Sequence, residues 1–145
     1  MPESENIALV RRWFEEVWNQ RRLETIDELL APDARAYDMT APETVLVGPE
    51  AFRAAAQQMH AAFGEMHLTV EDIFGSGDRV VVRLNGRLKH TGHLGPLPPT
   101  GREITVPIMS IIHLRDGKLV EGWNNWDIAS VLRTADAPEQ QRALF

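Results

Sequence analysis

The stretch His90–Asp127, HTGHLGPLPPTGREITVPIMSIIHLRDGKLVEGWNNWD, decides the fold of this chain. Its two runs Glu103–Arg115 and Lys118–Trp126 read as strands on either side of Asp116-Gly117, the dipeptide favoured where both central turn residues take positive φ. They predict a β-hairpin. Upstream, the segment Leu94–Arg102 contains Gly95, Pro96, Pro98, Pro99 and Gly101, so it cannot continue as a regular strand. It reads as a loop, either a plain strand connection or a cover for a cavity mouth.

Before this hairpin the pattern of strands reaches back to Leu68–Phe74, a turn at Gly75-Ser76-Gly77-Asp78, and a long strand ending near His90. Alternation sorts the long strand into two faces. Val80, Val82, Leu84, Leu88 and His90 point to the core or a pocket, and Val81, Arg83, Asn85, Arg87 and Lys89 point away. The first third of the chain reads differently. From Ser4 to Asn19, Ile7, Val10, Phe14, Val17 and Trp18 recur at helical spacing between charged residues, with Ser4 placed to cap the start. Leu23–Leu30 forms a second, shorter helix ending before Pro32. Arg35–Thr40 and Thr44–Val47 look extended. Gly48-Pro49-Glu50 opens a third helix over Pro49–Phe63, with the proline where no early-turn N–H is needed.

Helices first and an antiparallel sheet afterwards define an α+β domain whose helices cover one face of a curved sheet, leaving a cavity between them. At 145 residues one domain, 1–145, is expected. Its core spans about residues 7–132, and the tail beyond Leu132 is expected to be loose.

A formal charge of −6 without a separate cluster of Lys and Arg argues against nucleic-acid partners. The chain has no cysteine, which excludes disulfides, thiolate metal sites and a cysteine nucleophile. Its start carries acids and lacks an apolar signal core, and no apolar run is long enough to cross a bilayer. A soluble, cytoplasmic protein without a membrane partner is expected. His90, His93 and His113 lie close in sequence, but extended geometry puts His90 and His93 on opposite faces, so no metal is expected.

In this order, Gly48-Pro49-Glu50, His90-x-Gly92, Pro98-Pro99-Thr100-Gly101-Arg102 and Asp116-Gly117-Lys118 resemble the SnoaL-like polyketide cyclase family, part of the nuclear transport factor 2-like superfamily. The resemblance runs from about Ile7 to Leu132. It implies a cone-shaped α+β barrel, a homodimer formed through the outer sheet face and a polyketide-derived small-molecule substrate; no cofactor is expected. Aldol-cyclising members of the family carry an acid/base aspartate eight positions after the Asp of the Asp-Gly-Lys turn, which is Asn124 here. Their inward histidine on the preceding strand falls at Ser110, and its polar partner at Ile108. Their pocket asparagine falls near Tyr37. A Trp and an Asp four residues apart after the hairpin turn, another feature of the family, are met by Trp123 and Asp127.

Asn124 cannot take a proton at neutral pH, yet its amide can polarise a substrate carbonyl, and the same side chain could simply close a strand end. Asp127 is a substitute acid/base, or the N-cap of a helix beginning at Ile128. Asp38 is a base if it faces the cavity and a turn residue otherwise. Trp18, Met59, Phe63, His90, Ser110 and Trp126 are the expected substrate contacts, though each also suits ordinary core packing. With the acid/base pair replaced, the resemblance and the residues together point to a cyclase that folds a polyene in an apolar pocket for [4+2] cycloaddition. Asn124 or the Tyr37 hydroxyl would bond the dienophile carbonyl. The rivals are a proton-transfer cyclase using Asp127 or Asp38, and a non-catalytic binder of an apolar small molecule.

Overall fold

In a computed structural model, which describes residues 2–134, three helices precede and interrupt the strands, and a fourth follows them. They are α1 (Glu3–Trp13), α2 (Glu24–Leu29), β1 (Leu30–Asp38), β2 (Ala41–Val47), α3 (Gly48–Ala62), β3 (Phe63–Ser76), β4 (Arg79–His90), β5 (Glu103–Arg115), β6 (Lys118–Asn125) and α4 (Ile128–Thr134). The six strands form one sheet in the order β2-β1-β6-β5-β4-β3. Only β1 and β6 run parallel; the other neighbours are antiparallel. The fold is therefore α+β, with helices lying on one face of a mostly antiparallel sheet.

The hairpin that decided the fold is present. Asp116 and Gly117 take φ of 51° and 76°, the paired positive values of a type I′ turn. The face assignment of β4 also holds, because Val80, Val82, Leu84, Leu88 and His90 are all buried. Irregular register in β1, β3 and the β5–β6 pair marks bulges, which bend a sheet around what it covers.

Several boundaries differ from expectation for local physical reasons. Ser4 does not cap α1; Pro2 holds the cap position and Ser4 lies inside the first turn, without a side-chain cap bond. Leu30 already belongs to β1, where Pro32 is tolerated because it needs no helical N–H. β3 starts at Phe63, and Ser76 pairs with Arg79, leaving a two-residue turn. The expected loose tail lies outside the described residues apart from α4.

The long first helix changes character midway. Phe14–Asn19 is π-helical, with Gln20 N–H bonded to Glu15 O at 2.9 Å. In an α-helix, residues five apart diverge around the axis. The wider π turn brings Trp13 and Trp18 to one side, and such turns concentrate at functional sites. Both rings meet Phe52 of α3, with centroids 5.0 Å and 6.1 Å away.

Candidate active site

Two inner rows of the sheet form the floor of a cavity of about 550 Å³ beneath these helices. One cross-strand row runs Leu46, Ala36, Gly122, Ile112 and Val80. Its middle members are small, so the sheet leaves room there. The next runs Asp38, Asn124, Ser110 and Val82. It brings hydrogen-bonding side chains to that floor.

The opposite wall is aromatic. Trp13, Phe14, Trp18, Phe52 and Trp126 border the cavity together with Met59. The Trp18 ring sits 4.9 Å from Trp126 and 5.5 Å from His60. Burial, and next the charge of Arg21, hold the His60 imidazole behind Trp18 below its ordinary pKa. Aromatic rings on one side and a few polar groups on the other are the features by which a cavity can hold and orient an apolar molecule.

Of the expected site residues, Trp18, Met59, Trp126, Asn124, Asp127 and Asp38 all border the cavity. Asn124 Oδ1 accepts the Ser110 hydroxyl at 2.7 Å, which makes Ser110 the buried support of Asn124 rather than a cavity contact. Asp127 accepts the Ser130 N–H at 3.3 Å and so caps α4, the second of its two expected roles. Asp38 Oδ1 accepts both the backbone N–H and the hydroxyl of Thr40, at 2.8 Å and 2.7 Å, in an Asx turn. Each carboxylate thus meets the cavity with one oxygen already engaged.

Three further expectations change. Tyr37 pairs with Trp123 and stacks on it at 5.6 Å, and Trp123 pairs with Ile111, which is exposed on the other face of the sheet. Strand alternation therefore carries the Tyr37 ring to the outer face, where its hydroxyl meets Glu121 at 3.3 Å, although the residue is still among those bordering the cavity. Phe63 is fully buried, 5.4 Å from the His90 ring, and lies behind the cavity wall. His90 is also fully buried, and its Nδ1 meets the Thr100 hydroxyl at 2.9 Å and accepts the Thr100 N–H at 3.2 Å. It anchors the proline-glycine loop instead of touching a ligand. The loop itself reaches the cavity through Leu94.

Trp13, Phe14, Phe52 and Gly122 were not legible as site residues. The π turn that brings Trp13 beside Trp18 has no signature in helical periodicity, and the value of Gly122 lies in what its neighbours across the sheet leave open. His93 is exposed in the loop, while His113 lies on the outer face and meets Asp78 at 2.8 Å, so the three histidines do not converge. Among the described residues no group of His, Asp and Glu is arranged to hold a metal ion, and no helix is long and apolar enough to cross a membrane.

The family model described as SnoaL-like polyketide cyclase matches residues 8–135. Aklanonic acid methyl ester cyclase DnrD of Streptomyces peucetius is 34% identical over 122 residues, which cover 80% of this chain and 80% of the relative. Among solved structures, wild-type IdmH from Streptomyces antibioticus is 33% identical, with a TM-score of 0.74 over 91% of this chain and 96% of its own. A SnoaL-like protein from Jannaschia sp. CCS1 superposes with a TM-score of 0.84 at 25% identity, covering 94% of both chains.

Proposed function

The chain belongs to the SnoaL-like polyketide cyclase family, on the nuclear transport factor 2-like fold, and from that membership we propose that it closes a ring by [4+2] cycloaddition. As a cyclase of polyketide biosynthesis it takes a small-molecule polyketide. In our reading this substrate is a conjugated polyene bearing a carbonyl-activated dienophile. The observation that carries the reading is Asn124 on the cavity floor, a neutral donor where the resemblance places an acid/base aspartate. A pericyclic closure moves no proton, so holding diene and dienophile in a reactive arrangement suffices, and positioning supplies at most about 7–11 kcal/mol. The aromatic wall folds the chain while the Asn124 N–H polarises the carbonyl.

The test is the pH dependence of turnover on a linear polyene with a terminal enone. A concerted closure gives a flat kcat/KM from about pH 5 to pH 9, the range in which perturbed carboxylates and histidine titrate. A titrating limb would sink it. That limb is what a second reading requires, an aldol-type closure using Asp38 or Asp127. Both carboxylates border the cavity, and the similar protein DnrD is named as an aklanonic acid methyl ester cyclase. Under it, turnover of that ester vanishes with Asp38→Asn or Asp127→Asn.

The same reading includes a homodimer through the outer sheet face. The row Phe74, Val81, Ile111, Trp123, Tyr37 and Val45 crosses all six strands there. Phe74 is 54% exposed, Ile111 43% and Val45 38%, a continuous apolar band of the kind that marks an interface. Sedimentation is expected to show a dimer for the wild type and a monomer for Ile111→Lys. A monomeric wild type would refute the arrangement.

A further inference from the structure

The Asn124 amide is held in one orientation from two sides. Ser110, 2% exposed, gives its hydroxyl hydrogen to Asn124 Oδ1 at 2.7 Å. Asn124 Nδ2 faces the Tyr37 carbonyl oxygen at 3.4 Å. Turning the amide over would set Oδ1 against that carbonyl, acceptor against acceptor, and would take the acceptor away from the Ser110 hydroxyl. The nitrogen carries two hydrogens, and the long contact to Tyr37 engages at most one of them. What lies beside the nitrogen is the room left by Gly122. A Cβ placed on Gly122 would come to 3.6 Å from Nδ2 and meet nothing else nearer than the Ile111 carbonyl oxygen at 4.0 Å.

We propose that Ser110 is a positioning residue that locks Asn124 as a hydrogen-bond donor, so that the slot between Asn124 and Gly122 selects a ketone or enone oxygen. The inference rests on the cavity being the substrate site, but it does not depend on which bond is formed. A substrate therefore enters with its acceptor carbonyl over Gly122 and its apolar body against the aromatic wall. With alanine at position 110 the amide loses the bond that fixes Oδ1 and keeps only the long Tyr37 contact, so its N–H is no longer held toward the slot.

Two flat tricyclic probes that differ at one position test this: fluorenone and fluorene. Binding is read by quenching of the cavity tryptophans, and the hydrogen bond by the carbonyl stretch of bound fluorenone. Wild-type protein is expected to bind fluorenone about fivefold more tightly than fluorene, the size of one net hydrogen bond, with the carbonyl band moved to lower frequency. Ser110→Ala should erase the fluorenone preference and the band shift, while Ser110→Thr, which keeps a hydroxyl, restores both. A wild type without preference or band shift, or a Ser110→Ala protein that keeps them, overturns the proposal. Asn124→Leu separates the two layers. If it abolishes the preference and Ser110→Ala does not, only the role of Ser110 fails. If it leaves the preference intact, Asn124 is not the donor and the reading of the site fails with it.

Discussion

Asn124→Ala is expected to lower kcat roughly 10- to 100-fold. Losing one donor at a fully developed oxyanion costs on the order of 10²–10³ in rate. A carbonyl polarised during cycloaddition gathers only part of that charge, so the loss is smaller. The substitution also strands the buried Ser110 hydroxyl, which lowers the melting temperature by about 5 °C without unfolding the protein. Rate and melting measured on the same preparation separate the two effects. Asn124→Asp adds a sharper result. A carboxylate accepts but cannot donate, so at neutral pH this variant is expected to be at least as slow as Asn124→Ala. Its rate should recover as the pH falls through the carboxylate range, because the protonated acid regains a donor. A base used for proton abstraction gives the opposite slope, with rate rising as the pH increases. Activity of Asn124→Asp that grows with pH would therefore favour the aldol-type reading over cycloaddition.

Gly92→Ala is expected to damage the fold more than any cavity substitution. A Cβ on Gly92 would lie 2.1 Å from the Ala61 carbonyl oxygen and 3.0 Å from its carbon, and both atoms are backbone. Neither can swing aside. The N–H groups of Thr91 and Gly92 both bond the Ala62 carbonyl at 3.0 Å, closing the C-terminal end of α3, so backing the loop away breaks those bonds as well. Overpacking together with the lost bonds amounts to about 3 kcal/mol or more, a fall in melting temperature of about 10 °C. Arg21, which donates to the carbonyls of His60, Phe63 and Gly64, holds the same helix end and does not relieve the clash. Thermal unfolding of Gly92→Ala within about 2 °C of the wild type would show that the loop can shift without cost. The glycine of His90-x-Gly92 is thus explained by close approach of two backbone segments, not by an unusual backbone angle.

The readable parts of this chain are those whose cause is local. Alternation along β4, the helical spacing of Ile7, Val10, Phe14 and Val17, and the Asp116-Gly117 turn each follow from residues within a few positions of one another. The misplaced residues depend on partners far along the chain. Tyr37 faces outward because β1 registers against β6, 86 positions away at Trp123, and a shift of one residue would reverse it. His90 points inward as its strand predicts, but Phe63 and Thr100 close over it. Asp127 combined two expected features, a place at the cavity and a helix cap, because β6 ends where the cavity opens.

The stretch His90–Asp127 by itself determined the hairpin, the loop and the presence of Asn124, where the resemblance implies an acid/base aspartate, since turn chemistry and residue identity are properties of the chain. Only the tertiary structure decided that Asn124 offers its N–H, that Ser110 lies beneath it and that Gly122 leaves the space beside it. Those facts arise from pairing Asn124 with Ser110 across β5 and β6, and Ala36 with Gly122 across β1 and β6. Strand register is set by the burial of whole faces, and no local sequence pattern carries it.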